Sequence, residues 1–363
     1  MNFKKQKKLE YTEKTLISML EYKRPHGSYS ENNFINRFIK PYINLTDEYG
    51  NLYAFIDGVD NSELPTLLFT AHTDTVHKTS GKQEINIILG KDNPVVKLWS
   101  GIDNNRFAIV KNSECLGADD GVGVFLLLAM VQHYKENPPP YNIAFAFYRN
   151  EEAGGIGSAA SLKTKDESLL NILENVDKVI SLDRAGYDDI ITSQGARCCS
   201  DKFAAQFKEH FSYTPARGSF TDSANFTDEY SKSGYKECTN LSVGYFNQHG
   251  KSESVDLTFV IDILLPRLLS FGWGDLKVYR EFNEADDFDF YKSSYNFSFD
   301  DINEAYPINH ESLQKIARID PDKIIHFMKC YGIFDDFIIE YGADFLDHYG
   351  FNSTDLNNYK GYS

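Results

Sequence analysis

Four short apolar runs, each followed within a few residues by acids or a histidine, constrain the fold of this chain more than any other feature. Leu64–Ala71 (LPTLLFTA) is almost continuously apolar, the pattern of a strand buried on both faces. Tyr141–Tyr148, Asp177–Leu182 and Leu241–Phe246 are strand-like in the same way. Between the first two lies Gly121–Tyr134, apolar almost all round, which reads as a buried helix stopped by Asn137 and prolines 138–140. Val255–Phe271 reads as a further helix, interrupted only by Pro266. Alternating strands and helices of this kind predict an α/β domain: a mixed, mostly parallel central sheet flanked by helices.

Composition sets the remaining bounds. At 363 residues, 42% hydrophobic and 25% charged, the chain has the make-up of a folded protein with one large domain and an appendage. The longest apolar run, Val122–Met130, falls well short of the roughly 20 residues of a membrane span. The lysine-rich start has no apolar stretch behind it, so a cytoplasmic rather than secreted chain is expected. The net charge of −16 opposes nucleic acid and anionic membrane as partners. Five cysteines (115, 198, 199, 238 and 330) without framework or CxxC spacing suggest reduced thiols, with small buried packing residues as the default. The main domain is expected over 1–275, with a flap at about 77–114. An acidic, aromatic linker over 276–300 and a small helical C-terminal appendage over 301–363 would follow. The appendage helices are expected at Asn309–Ile319, Asp322–Tyr331 and Asp335–Tyr349.

Chemistry gathers where the apolar runs stop. His72 follows the first run, and Asp74 can reach back to its second ring nitrogen. Asp119-Asp120 precede the apolar helix, where one acid caps and the other is left for a ligand. Glu151-Glu152 follow the second strand run, Asp183 ends the third and His249 follows the fourth. Each alone has a plain explanation as a loop histidine, a helix cap or a turn. In open α/β sheets, however, ligand sites collect at the carboxyl ends of strands. Five such residues arranged along one sheet can serve two metals sharing a carboxylate.

The blocks FTAHTDTV, LGADDGVG, YRNEEAGGIGS, SLDRAG and NLSVGYFNQHG resemble, in this order, the signature segments of the co-catalytic zinc exopeptidase superfamily. That group includes aminopeptidases, tripeptidase-like enzymes and deacylases. The resemblance spans roughly residues 10–272 and implies a catalytic domain with two zinc ions, for which Co²⁺ or Mn²⁺ can substitute. It implies that Asp119 bridges the metals, with His72 and Asp183 on one and Glu152 and His249 on the other. Glu151 would be the general base for a metal-bound hydroxide, Asp74 would orient His72, and Asp120 would support Asp119. Gly218-Ser219-Phe220-Thr221-Asp222 resembles a further block whose Asp lies near the site.

Spacing narrows the branch. From Asp183 to His249 there are 66 positions, already needed for the main sheet, so no dimerisation domain of about 100 residues fits. The 47 positions from His72 to Asp119 suit a β-flap containing Ile85–Leu89, Val95–Trp99 and Phe107–Val110. A compact aminopeptidase-like domain fits best, acting on a peptide or small amide. The acidic chain favours a substrate amine, whereas Arg149, Arg184, Arg197 and Arg217 are either surface ion pairs or holders of a carboxylate. His77 reads as a flap residue and Tyr245 as core or support. A non-peptide amidohydrolase or deacylase, a carboxypeptidase, and a binding module on a peptidase scaffold are the alternatives. Oligomeric state is left open.

Overall fold

The computed structural model describes residues 10–59, 64–93, 102–231 and 234–280. The expected flap strand Val95–Trp99, Cys330, most of the linker and the whole helical appendage lie outside them. The described residues fall in one compact unit, Met1–Phe290.

Two sheets organise the chain. The strands are β1 (Leu45–Thr46), β2 (Leu52–Ile56), β3 (Leu67–His72), β4 (Ile85–Leu89), β5 (Arg106–Val110), β6 (Ile143–Tyr148) and β7 (Lys178–Arg184). They continue with β8 (Asp189–Gln194), β9 (Ala196–Arg197), β10 (Thr214–Gly218), β11 (Glu237–Ser242), β12 (Tyr245–Phe246) and β13 (Ser254–Asp256). The central sheet runs β9-β8-β11-β7-β3-β6-β2-β1, with β10 beside β8. Its middle four strands, β11, β7, β3 and β6, are mutually parallel, and the outer pairs β6–β2 and β11–β8 are antiparallel. Every residue of β3, β6 and β11 is buried; β3 and β6 are accordingly largely apolar without alternation, whereas β11 (ECTNLS) buries polar side chains that are hydrogen-bonded within the fold. The expected mixed, mostly parallel sheet is therefore the observed one.

The helix α1 (Glu13–Leu20) packs on α2 (Ala118–Glu136), which lies against β3 and β7. With protein on both sides, every residue of α2 from Ala118 to Val131 is buried, so its sequence carries no amphipathic stripe. The α2 helix passes close to the sheet at Gly123, where a Cβ would fall 2.2 Å from the Leu182 carbonyl oxygen. The second sheet, β12-β13-β5-β4, holds two of the three expected flap strands, so that segment is a ledge joined to the chain after β11.

Two boundaries differ from expectation. The run Leu241–Phe246 is not one strand: β11 starts at Glu237, and Gly244, with φ +88°, turns the chain into β12 of the other sheet. The helix expected from Val255 begins later, because Val255 belongs to β13. From Phe259 a wide π-type turn leads into Leu265–Ser270, with Pro266 in its first turn, where a missing N–H costs least.

Candidate metal centre

Parallel strands place their carboxyl ends on one edge, and the sequence-predicted residues meet there. His72, the last residue of β3, directs Nε2 to Asp119 Oδ1 at 3.0 Å, with Glu151 Oε2 at 3.7 Å and Asp183 Oδ1 at 3.8 Å. His249 directs Nε2 to Glu152 Oε2 at 3.0 Å and to Asp119 Oδ2 at 3.1 Å. Two triads result, His72/Asp119/Asp183 and Asp119/Glu152/His249, each with one ligand atom per residue within 4.8 Å of the others. They share Asp119, one oxygen facing each histidine. Asn150, Asn247 and His249 carry φ of 61°, 52° and 63°, left-handed values held in the two loops that deliver Glu151, Glu152 and His249.

Neighbouring groups fix each member. Asp120 lies where the φ/ψ of α2 are still non-helical; its Oδ1 caps the helix by accepting the Gly123 N–H at 2.9 Å. Its Oδ2 accepts the His72 N–H at 3.1 Å, tying the helix start to the end of β3. Asp74 does more than face His72. Its carboxylate lies 3.7 Å from His72 Nδ1, which contacts the Asp74 carbonyl oxygen at 3.2 Å. The same carboxylate accepts the Glu151 and Glu152 N–H groups at 3.1 and 3.2 Å. Asp183 is held by Asn240, which accepts its N–H and donates to its carbonyl oxygen, while Thr221 and Tyr245 hydroxyls donate to its carboxylate at 2.7 and 3.1 Å.

Charge at the site is dominated by carboxylates. Against burial, Asp119 and Glu152 raise the His249 pKa to about 11, and the surrounding carboxylates raise that of His72. Burial and neighbouring carboxylates push Glu151 and Asp183 well above the ordinary carboxyl range. Asp222, buried with neither carboxylate oxygen hydrogen-bonded, is raised to about 7, chiefly by desolvation. Glu152 Oε1 is likewise buried without a hydrogen-bond partner. Acid-rich triads of imidazole nitrogen and carboxylate oxygen, one oxygen of them orphaned, fit a divalent cation of the zinc type.

Sequence reasoning missed the supports that come from far away. Arg24, fully buried, donates to the carbonyl oxygens of Thr73 and Gly117, both at 2.9 Å, tying the loop after His72 to the loop before Asp119. Glu253 accepts N–H groups from that second loop. Of the four arginines considered for a carboxylate, Arg149 forms a two-point ion pair with buried Glu31, Arg184 binds Asp189 and Arg197 binds Asp201. Arg217 is exposed on β10. Arg184 also lines the cleft beside the centre, with Phe220, Gln194 and Gln248. His77 is a buried brace, its pKa lowered to about 4 by desolvation; its ring contacts Thr75, Gln83 and the Cys115 carbonyl. Cys115, Cys198, Cys199 and Cys238 are buried and free.

Comparison with known proteins agrees with this architecture. A Peptidase T from Halothermothrix orenii is 32% identical over 129 residues, covering 30% of this chain and 31% of that protein. The chain thus matches about a third of that relative's length. A tripeptidase structure from Staphylococcus aureus superposes with a TM-score of 0.50 at 14% identity, covering 70% of this chain and 95% of the other. The aminopeptidase PepT structure from Bacillus cereus gives 0.50 at 12% identity, covering 70% and 95%. Both likenesses concern the fold. Among the described residues no helix is long and apolar enough to cross a membrane. The model of peptidase family M28 matches residues 51–331, most of the chain, and the chain belongs to that family of peptide-bond hydrolases.

Proposed function

We propose that this chain is a di-zinc exopeptidase, an aminopeptidase of the cytoplasm, with its catalytic domain over 1–275 and separate C-terminal segments over 276–300 and 301–363. The observation that carries the reading is the pair of His/carboxylate triads sharing Asp119, with the Glu151 carboxylate 3.7 Å from His72 Nε2 and lining the same cleft. His72, Asp119 and Asp183 would hold one ion, and Asp119, Glu152 and His249 the other. Bound zinc would supply Lewis-acid polarisation of the scissile carbonyl and a lowered pKa for water.

The chain's own groups do the rest. Glu151 is the general base: its carboxylate takes a proton from the attacking water and returns it to the leaving amine. Asp74 aims Glu151 and Glu152 through their backbone N–H groups while it faces His72. The acidic cleft suits a substrate's free α-ammonium group. A carboxypeptidase is the second reading, favoured by Arg184 in the cleft wall.

The test is mass-spectrometric digestion of one mixed peptide pool by zinc-loaded protein, with N-acetylated and C-amidated pools and a chelated control. Chelator-sensitive loss of N-terminal residues, blocked by acetylation, is expected. Blockage by amidation instead moves the reading to a carboxypeptidase, and no cleavage in any pool overturns it. Glu151→Gln is expected to abolish turnover while the protein still takes up zinc.

A further inference from the structure

One buried acid outside both triads grips the loop that carries their shared residue. Glu253 opens onto β13, is 1% exposed, and points its carboxylate into the turn before α2. Its Oε2 accepts the N–H groups of Leu116 at 2.7 Å and Gly117 at 3.0 Å. Its Oε1 accepts those of Ala118 at 2.8 Å and Asp119 at 3.1 Å. Four consecutive backbone donors on one carboxylate saturate it, since an ionised carboxyl offers about four acceptor positions. Charge-assisted bonds of this kind are about twice as strong as neutral ones. Gly117 adopts φ +72°, a left-handed turn that lets successive N–H groups converge.

The other side of the same turn is held by the opposite charge. Arg24 takes the Gly117 carbonyl oxygen, so the turn has its N–H groups on an anion and its carbonyl on a cation. Glu253 also lies four residues after His249, on the segment that returns from the His249 loop. It therefore joins, through one side chain, the two loops that deliver Asp119 and His249.

We infer that Glu253 is a positioning residue for the metal centre, presetting the Asp119 carboxylate between the two triads before a cation arrives. The inference rests on the di-zinc reading above. Glu253→Gln keeps the shape but replaces one acceptor oxygen with a donor aimed at two N–H groups, so the turn relaxes and Asp119 loses its fixed aim.

The experiment is zinc uptake by the full chain, measured by competition with a chromophoric chelator well below each protein's melting temperature. The wild type, Glu253→Gln, Glu253→Asp and the core control Leu128→Ala are compared. Glu253→Gln is expected to bind zinc about 10- to 100-fold more weakly, the usual cost of losing a residue that orients a ligand. Glu253→Asp, with the charge kept on a shorter arm, is expected to recover part of the loss; it carries the test if the Gln variant does not fold. Leu128→Ala, deep in α2, should lower the melting temperature and leave zinc affinity unchanged. Wild-type affinity in Glu253→Gln, or an equal loss in Leu128→Ala, overturns the inference. A wild type that takes up no zinc overturns the di-zinc reading itself, a distinct outcome.

Discussion

Replacing Asp74 by Asn tests whether this carboxylate supports the centre through its backbone bonds as well as through His72. Asp74 is 1% exposed and accepts two N–H groups, from Glu151 and Glu152. An Asn keeps one acceptor oxygen and turns an NH₂ towards the other donor, so one buried N–H is left unsatisfied and the charge on the second bond is lost. Those two effects sum to about 2–3 kcal/mol. For a domain of this size, at about 2 °C per kcal/mol, the melting temperature should fall by about 4–6 °C. The loss should depend on pH. Burial raises the Asp74 pKa, but His72 and the bound N–H groups outweigh it, so the folded value lies below the ordinary 3.8. The stability that the carboxylate contributes is then complete above about pH 4 and disappears as pH falls through the lower folded value. The gap between wild type and variant should be constant from neutral pH to about pH 5 and narrow below about pH 4. Peptide hydrolysis should drop by about 10- to 100-fold, since both Glu151 and Glu152 lose their aim. Differential scanning fluorimetry across pH, with and without chelator, reads the first effect and initial rates the second. An Asn variant that melts and turns over like the wild type would refute the reasoning.

Other perturbations probe different parts of the framework. Arg149→Met removes the cation from buried Glu31, whose carboxylate keeps hydrogen bonds from the Gly27 N–H and the Thr73 hydroxyl, with an expected cost of about 2–3 kcal/mol in denaturant unfolding. Adding Glu31→Gln should recover much of it, and a raised KM without destabilisation would return Arg149 to the substrate. Gly123→Ala would place a Cβ 2.2 Å from the Leu182 carbonyl and 2.3 Å from Asp120 Oδ1. It should cost about 3 kcal/mol, at the upper end of overpacking, and equal stability to wild type would contradict that close approach. Stripping metal with a chelator should remove about 4 kcal/mol where free zinc had stood at 1,000 times its Kd. Equal melting temperatures before and after would argue against a cation between the triads.

How legible the molecule was in its sequence depends on distance along the chain. The parallel core could be read because β3, β6 and β7 are buried on both faces and so wrote continuous apolar runs. The five residues expected as ligands, with Glu151, come together at one edge of the sheet because each stands at or just beyond an element end. What could not be read came from pairings remote in sequence. Glu253 meets Leu116 across 137 positions and Arg24 meets Gly117 across 93, and neither side chain differs in type from the many exposed acids and bases of this chain. Short-range signals misled at Gly244, where the strand-like run Leu241–Phe246 conceals a switch between sheets. They misled again at Asp74, whose spacing from His72 suggested one partner when it also holds two backbone groups.

The Arg24 bridge bears on where the structural unit that holds the site begins. The family match starts at residue 51, which would make the first fifty residues seem dispensable. Yet that stretch supplies both the cation that laces the His72 and Asp119 loops together and Glu31, the buried counterion of Arg149. A chain cut at the family boundary would keep every expected ligand and lose the cross-brace between them. For this protein, the border drawn by sequence similarity and the border of the fold that braces the candidate site do not coincide.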